Sequence, residues 1–420
     1  MTLRTPRVEF MTERARLAAG RDQTVDVLIR ITPPETEAQG GRRAALNLGM
    51  VLDRSGSMGG AKMERAREAA AYCIDQLLPT DRFSVVIFDD VVEVLIPSQQ
   101  AENRAALKER LAQVFARNST ALHSAWVRGG MQVSEHLTDG AINRVLLITD
   151  GQANVGETNT DRIVSQAKGL FERGVSTSTI GIGDDFNEDL LLPMAEAGGG
   201  NAGHVERPED MQRIFAVELE GLIAQFAHTV TLGLIPADGV RLSDVLNDFE
   251  LSETGRYRLP NMQSGSALEV VVQLRVPAQA TGAKLRLLDL RLGYTPQEMK
   301  GAEVVKQALK LEFDAEEAVE RLPVNHDVPK AVRFLMNARA RREAMRHMDA
   351  GNYDFARQVV ASSYIATQAA CAPIENSADV QEEYRQLIEL QSSLTDKSSA
   401  RMNRKRLAFQ EYFRRSSKKS

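Results

Sequence analysis

The run L-N-L-G-M-V-L, residues 46–52, carries no charge and leads straight into Asp53. A strand without a polar face has to be covered on both sides, which calls for a sheet sandwiched between helices. The residues that follow, D-R-S-G-S-M-G-G from Asp53 to Gly60, set a carboxylate, two hydroxyls at alternate positions and several glycines at the end of that strand. A buried carboxylate is costly unless something compensates its charge.

The pattern that follows alternates strand and helix as far as about residue 225. A helix over about 61–78 puts Met63, Ala66, Ala70, Cys73, Ile74 and Leu77 on one face. Residues 83–88 and 91–96 read as two strands separated only by Asp89 and Asp90, which act as turn residues of a tight hairpin. Two helical stretches, about 102–115 and 121–136, precede the apolar strand 145–149, which stops at Asp150. A helix over about 160–173 leads to V-S-T-S-T-I-G-I-G. A short helix, Gly198–Gly200, the strand-like H-V-E-R and a last helix over 209–225 complete the set. The two glycine clusters, at 181–183 and 198–200, read as tight turns. This is an α/β pattern: a doubly wound, mostly parallel sheet, with the hairpin supplying one antiparallel edge strand.

The flanks follow another rhythm. Residues 24–31, 228–235, 268–276, 284–292 and 304–313 alternate with period two, as antiparallel strands with one buried face do. Because 24–31 has no other partner, the α/β unit is expected to be inserted into an antiparallel β-sandwich. From Val328 the pattern turns helical: 328–350 and 353–370 form a helical hairpin about Gly351 and Asn352, and a third helix spans 378–393. The expected segments are therefore 1–43 (first sandwich strands), 44–226 (α/β domain), 227–322 (rest of the sandwich), 323–396 (helical region) and 397–420 (basic tail). The tail interleaves Leu407, Phe409, Tyr412 and Phe413 with basic residues. It is read as a solvated end, as a contact for an acidic protein, nucleic acid or membrane surface, or as a segment folded back on its own molecule.

In an open α/β sheet, ligands bind at the carboxyl ends of strands where the strand order reverses. With strand 46–53 central, Asp53 and Asp150 meet at that point. Two adjacent unpaired carboxylates would force one to take up a proton, and a hard dication removes the conflict. Ser55 and Ser57 offer hydroxyls from the next loop, Gly56, Gly59 and Gly60 let that loop fold tightly, and Thr120 adds a hydroxyl at the start of a helix. An all-oxygen set selects Mg²⁺, with Mn²⁺ or Ca²⁺ as alternatives, over zinc.

The set D-R-S-G-S at Asp53–Ser57, Thr120, and T-D-G at Thr149–Gly151 resembles the metal-ion-dependent adhesion site of von Willebrand factor A domains, over roughly residues 46–225. The flanking strands resemble, more loosely, the layout of inter-alpha-trypsin inhibitor heavy chains. The resemblance implies that Ser55, Ser57 and Thr120 coordinate a divalent cation directly or through water, that Asp53 acts through water, and that Asp150 does either. It further implies a non-enzymatic binding module whose cation is completed by an Asp or Glu of a partner protein.

Two other readings compete: a metal-dependent phosphohydrolase or phosphotransferase, and a scaffold that uses no metal. Against the enzyme stand the lack of a second acidic residue at position 55 and of a Lys or Arg placed at the switch point. G-S-M-G-G-A-K, ending at Lys62, lacks P-loop spacing, and neither serine sits in G-x-S-x-G. The six histidines show no metal spacing, and Trp126 reads as core. A net charge of −5 argues against nucleic-acid binding by the whole molecule. No secretory signal, apolar span or disulfide framework is expected. With Cys73 and Cys371 the only cysteines, a cytoplasmic location is expected. Asn118–Thr120 is a formal glycosylation sequon that carries little weight without a secretory signal.

Overall fold

A computed structural model of the chain describes residues 5–35, 44–117, 120–138, 140–152, 155–297, 301–394 and 400–416. Asn118, the acceptor of the formal sequon, lies outside the described residues. The chain divides into two compact units, one drawn from 1–36, 226–295 and 301–420, the other from 37–225 and 296–300.

Among the described residues, three strands precede the α/β unit: β1 (Arg7–Thr12), β2 (Arg16–Ala18) and β3 (Gln23–Thr32). The α/β unit then runs β4 (Leu46–Asp53), α1 (Ala61–Gln76), β5 (Arg82–Phe88), β6 (Val92–Gln100), α2 (Arg104–Ala112), α3 (Leu122–Ser134), β7 (Ile142–Thr149), α4 (Thr160–Glu172), β8 (Ser176–Ile182), α5 (Glu188–Ala197), β9 (Gly199–Val205) and α6 (Met211–Ile223). Its sheet has the order β6-β5-β4-β7-β8-β9. Every neighbouring pair is parallel except β5 and β6, the expected hairpin, which turns at Asp89 and Asp90 with Phe88 opposite Val92.

The uncharged run in β4 is buried along its whole length because its alternate residues feed two helix layers. Leu46, Leu48, Met50 and Leu52 join Met63, Ala66, Ala70 and Cys73 of α1 and Phe215 and Leu219 of α6 in one core. Gly49 and Val51 face α3, which comes very close: a Cβ on Gly129 would lie 2.3 Å from Val51 Cγ2, and one on Gly49 would lie 2.6 Å from Val133 Cγ2. Trp126 is core, as expected, and its indole N–H donates to Thr177 Oγ1 at 3.2 Å.

Two expectations in this unit are corrected. The short helix expected at Gly198–Gly200 lies earlier, as α5 (Glu188–Ala197). Gly199 and Gly200 are neither helix nor turn; they open the edge strand β9. The backbone there presses against β8, so that a Cβ on Gly200 would fall 2.0 Å from the Thr177 carbonyl oxygen.

In the other unit, β10 (Gln225–Pro236), β11 (Arg241–Val245), β12 (Tyr257–Arg258), β13 (Met262–Gln263), β14 (Leu268–Val276), β15 (Lys284–Pro296) and β16 (Glu303–Asp314) join β1–β3 in two sheets. Their orders are β1-β3-β14-β11 and β12-β10-β15-β16-β2, with β13 paired to β10. The strand that lacked a local partner, β3, pairs antiparallel with β14, Ile31 opposite Leu268. Val27 and Ile29 of β3, Val270 and Val272 of β14, and Leu288 and Leu290 of β15 share one core.

The helices α7 (Glu316–Glu320), α8 (Asp327–Asp349), α9 (Tyr353–Cys371), α10 (Ala378–Ser393) and α11 (Ala400–Ser416) complete this unit. Leu28 of β3 and Val271 of β14 point away from the sandwich core and pack with Val328, Ala331 and Leu335 of α8. The reading of the tail as a solvated end or an outside contact is corrected over 400–416, and its fold-back alternative holds: Leu407, Phe409 and Tyr412 of α11 are buried. Arg414 pairs with buried Glu383 at 2.8 Å, and Arg404 with Asp349 at 2.7 Å, so these charges are spent internally. Residues 417–420 lie outside the described residues. Cys73 and Cys371 are free and buried. Among the described residues, no helix is long and apolar enough to cross a membrane.

Candidate metal centre

The sheet order reverses between β4 and β7. From β4 the chain moves outward through β5 and β6, then returns to β7 and moves the other way through β8 and β9. Asp53 ends β4 and Asp150 follows the last residue of β7, and neither has any exposed surface. The loop after β4 makes a short 3-10 turn over Gly56–Met58 and enters α1 through Gly60, whose φ of +70° suits a residue without a Cβ.

Both Asp53 oxygens are held. The Ser55 backbone N–H donates to Oδ1 at 2.7 Å, and the Thr149 hydroxyl donates to Oδ2 at 2.5 Å. Asp150 is held as closely: the Ser57 hydroxyl donates to its Oδ1 at 2.7 Å, and Lys62 Nζ lies 2.5 Å from its Oδ2. Ser55 Oγ and Ser57 Oγ are 3.1 Å apart. Thr120 is buried beside them: a Cβ built on Gly151 would sit 3.3 Å from Thr120 Oγ1 and 3.6 Å from Asp53 Oδ2. Asp53, Ser55, Ser57, Thr120 and Asp150, drawn from three separate loops, thus come together at the switch point.

The electrostatics leave a charge to be met. Burial pushes the Asp53 carboxyl up to about 6; hydrogen bonds from Thr149 and Ser55 pull it down, and nearby Asp150 adds to the upward push. Among the described residues, no three His, Cys, Asp or Glu side chains converge to hold a metal. A cation here would rest on two carboxylates and three hydroxyls. That all-oxygen set suits a hard dication, and two of those oxygens lie within 3.6 Å of the one point that a Cβ on Gly151 would occupy. The residues present therefore fit such an ion.

The roles of several residues that build the site escaped the sequence reading. Lys62, seen only as the end of a failed P-loop, is placed at the switch point after all, on the first turn of α1. Thr149 orients Asp53. Asp89 is a turn residue, its Oδ1 accepting the Val91 N–H at 2.8 Å, but it is also a hub between site loops. Its Oδ2 accepts Arg117 Nε at 2.6 Å and pairs with Arg54 Nε at 3.2 Å. Backbone bonds follow the same path: Arg117 N–H donates to the Arg54 carbonyl and Ala121 N–H to the Asp89 carbonyl, each at 2.7 Å. Burial alone would raise the Asp89 pKa; the Val91 N–H and the Arg117 and Arg54 guanidiniums outweigh it and hold the carboxyl below its usual range. The readable signal was the pair of arginines, one between Asp53 and Ser55 and one just before Thr120, with an acidic hairpin between them in sequence.

The family profile of the von Willebrand factor type A domain matches residues 47–217. An uncharacterized protein of Synechocystis sp. is 32% identical over 174 residues, 41% of this chain and 41% of that protein. Inter-alpha-trypsin inhibitor heavy chain H4 of Homo sapiens is 29% identical over 172 residues, 39% of this chain and 18% of that protein. The matched region thus spans about two fifths or less of these relatives' own length. Among solved structures, a von Willebrand factor type A protein from Catenulispora acidiphila superposes with a TM-score of 0.67 at 20% identity, covering 93% of this chain and 91% of that one. The ArnB paralog VWA2 of Sulfolobus acidocaldarius gives 0.58 at 16% identity over 97% of each chain. At these identities the likeness is one of fold, and it extends across the sandwich and the helical region.

Proposed function

We propose that this chain, whose residues 47–217 form a von Willebrand factor type A domain, is a non-enzymatic module that binds a partner protein through a divalent cation held by Asp53, Ser55, Ser57, Thr120 and Asp150. The observation that carries this reading is the convergence of those five side chains at the carboxyl ends of the central strands, with Ser57 on Asp150 and Thr120 and Asp53 facing the same side of Gly151. Mg²⁺ is the proposed ion, with Mn²⁺ or Ca²⁺ able to replace it. Held largely by neutral hydroxyls, the cation supplies positive charge and a coordination position for an outside carboxylate. The chain's own residues do the rest: Thr149 and the Ser55 N–H fix Asp53, and Asp89 ties the Ser55 loop to the Thr120 loop. Phe115 and Val91, apolar and well exposed on the segments leading to Thr120 and following Asp89, offer contact surface for the partner that presents the acid.

The placement of Lys62 removes one argument against phosphoryl transfer. That reading is still not favoured, because the Lys62 ammonium is engaged by Asp150, the hydroxyls of Ser55 and Ser57 contact each other and that of Ser57 also donates to Asp150, with no base assigned to either as a nucleophile. We place the module in the cytoplasm, from its two buried free thiols.

Calorimetric titration with Mn²⁺ and Mg²⁺ tests the site. The wild type is expected to bind one ion, while Asp53→Ala and Ser55→Ala each lose at least about tenfold in affinity, the scale of losing one ligand contact of about 1.4 kcal/mol. Equal binding by all three proteins, or binding by none, would refute the reading.

A further inference from the structure

Lys62 is the one cation on Asp150 among the described residues, and the proposed ion would have to share that carboxylate with it. Resting on the metal reading above, we propose that Lys62 is a tethered monovalent substitute for the divalent ion: it neutralises Asp150 when the site holds no metal and leaves it when metal binds. The ammonium thereby sets the affinity for the ion and spares the metal-free fold an uncompensated buried carboxylate.

Four observations carry this. First, Lys62 Nζ lies 2.5 Å from Asp150 Oδ2, a charge-assisted contact to a carboxylate with no exposed surface. Second, the other oxygen of Asp150 accepts the hydroxyl of Ser57, itself a proposed ligand, so both carboxylate oxygens are engaged and an ion that takes Asp150 as a ligand has to compete with the ammonium for it. Third, the lysine is free to withdraw: its side chain is 27% exposed, and its stem rises from the first turn of α1. A lysine stem is flexible and can carry its charge to water. Fourth, the ammonium lies beside the loop after β8, where a Cβ on Gly183 would be 3.6 Å from Lys62 Nζ. A charge of +1 on Asp150 repels an incoming dication and must be displaced, whereas a neutral side chain at position 62 leaves the carboxylate to the metal alone. The reverse holds without metal: Asp150 then keeps only the Ser57 hydroxyl, and a buried charge that has lost its partner destabilises the fold.

The test compares wild type, Lys62→Met, Lys62→Gln and Lys62→Arg in two measurements: Mn²⁺ affinity by calorimetry, and melting temperature in EDTA and in excess Mn²⁺. Lys62→Met and Lys62→Gln are expected to bind Mn²⁺ about tenfold or more tightly than wild type, to melt several degrees lower in EDTA, and to recover when Mn²⁺ is added. Lys62→Arg, which keeps the charge, is expected to stay within about threefold of wild type. If the neutral variants bind Mn²⁺ no more tightly than a wild type that does bind it, the substitution by Lys62 is wrong while the metal site stands. If neither wild type nor the neutral variants bind Mn²⁺, the metal site itself is wrong and this inference falls with it. Should Lys62→Met fail to fold in EDTA but fold with Mn²⁺, that rescue supports the proposal; failure to fold in both, joined by unchanged affinity in Lys62→Gln, overturns it.

Discussion

At the scale of one residue, Asp53 carries a charge that burial disfavours. Its carboxyl titrates at about 6 in the folded protein, against about 4 in an unfolded chain. Between those values the folded state holds the proton more tightly. The contribution of Asp53 is therefore most favourable below pH 4 and declines as pH rises to 6, by roughly 2–3 kcal/mol. Urea unfolding in EDTA is expected to show this decline between pH 4 and 6, with saturating Mg²⁺ largely abolishing it; a slope unaffected by the ion would contradict the assignment. The five candidate ligands were legible because the residue types and their order carry the chemistry. The roles of Lys62, Thr149 and Asp89 were not, since each acts through a partner distant in sequence: Lys62 through Asp150, Thr149 through Asp53, and Asp89 through Arg54 and Arg117.

At the scale of elements, the position of Thr120 depends on how closely α3 lies on β4. That approach is set by Gly49 and Gly129, where any side chain would meet Val133 or Val51 at 2.6 Å or less. Gly129→Ala should cost about 1–3 kcal/mol by overpacking and weaken Mn²⁺ binding as α3 lifts the Thr120 loop. Denaturation and calorimetry on the same sample check both effects, and a variant with wild-type stability and affinity would show that the contact does not position the loop. Most strands and helices of the α/β unit were readable because apolar runs and 3.6-residue spacing are strong there, but α5 was not: a short helix was expected at Gly198–Gly200, whereas the helix spans Glu188–Ala197. Helix ends were less so: the second helix was expected over 102–115 and spans only Arg104–Ala112. β9 was misplaced because glycines normally signal a turn, whereas at Gly200 the missing Cβ permits a strand to press against Thr177. β1 and β2 are short or mixed in pattern and gain their place only by pairing with β3 and β16.

At the scale of the whole molecule, the chain closes its sandwich across the insertion: β3 and β14 are paired although the entire α/β unit lies between them in sequence. That closure was legible because β3 had no local partner. The fate of the tail was not, because Leu407, Phe409 and Tyr412 sit among basic residues. Only the structure reveals the buried Glu383 and the Asp349 that receive Arg414 and Arg404. The basic stretch is part of a folded unit, whereas the candidate site lies at the carboxyl ends of the central strands β4 and β7. The most direct measurement is an anomalous difference map from crystals grown in Mn²⁺. The account predicts one strong peak about 2.1 Å from the hydroxyl oxygens of Ser55 and Ser57, with Thr120, Asp53 and Asp150 around it. Well-ordered crystals with no peak there, or with a peak elsewhere, would contradict it.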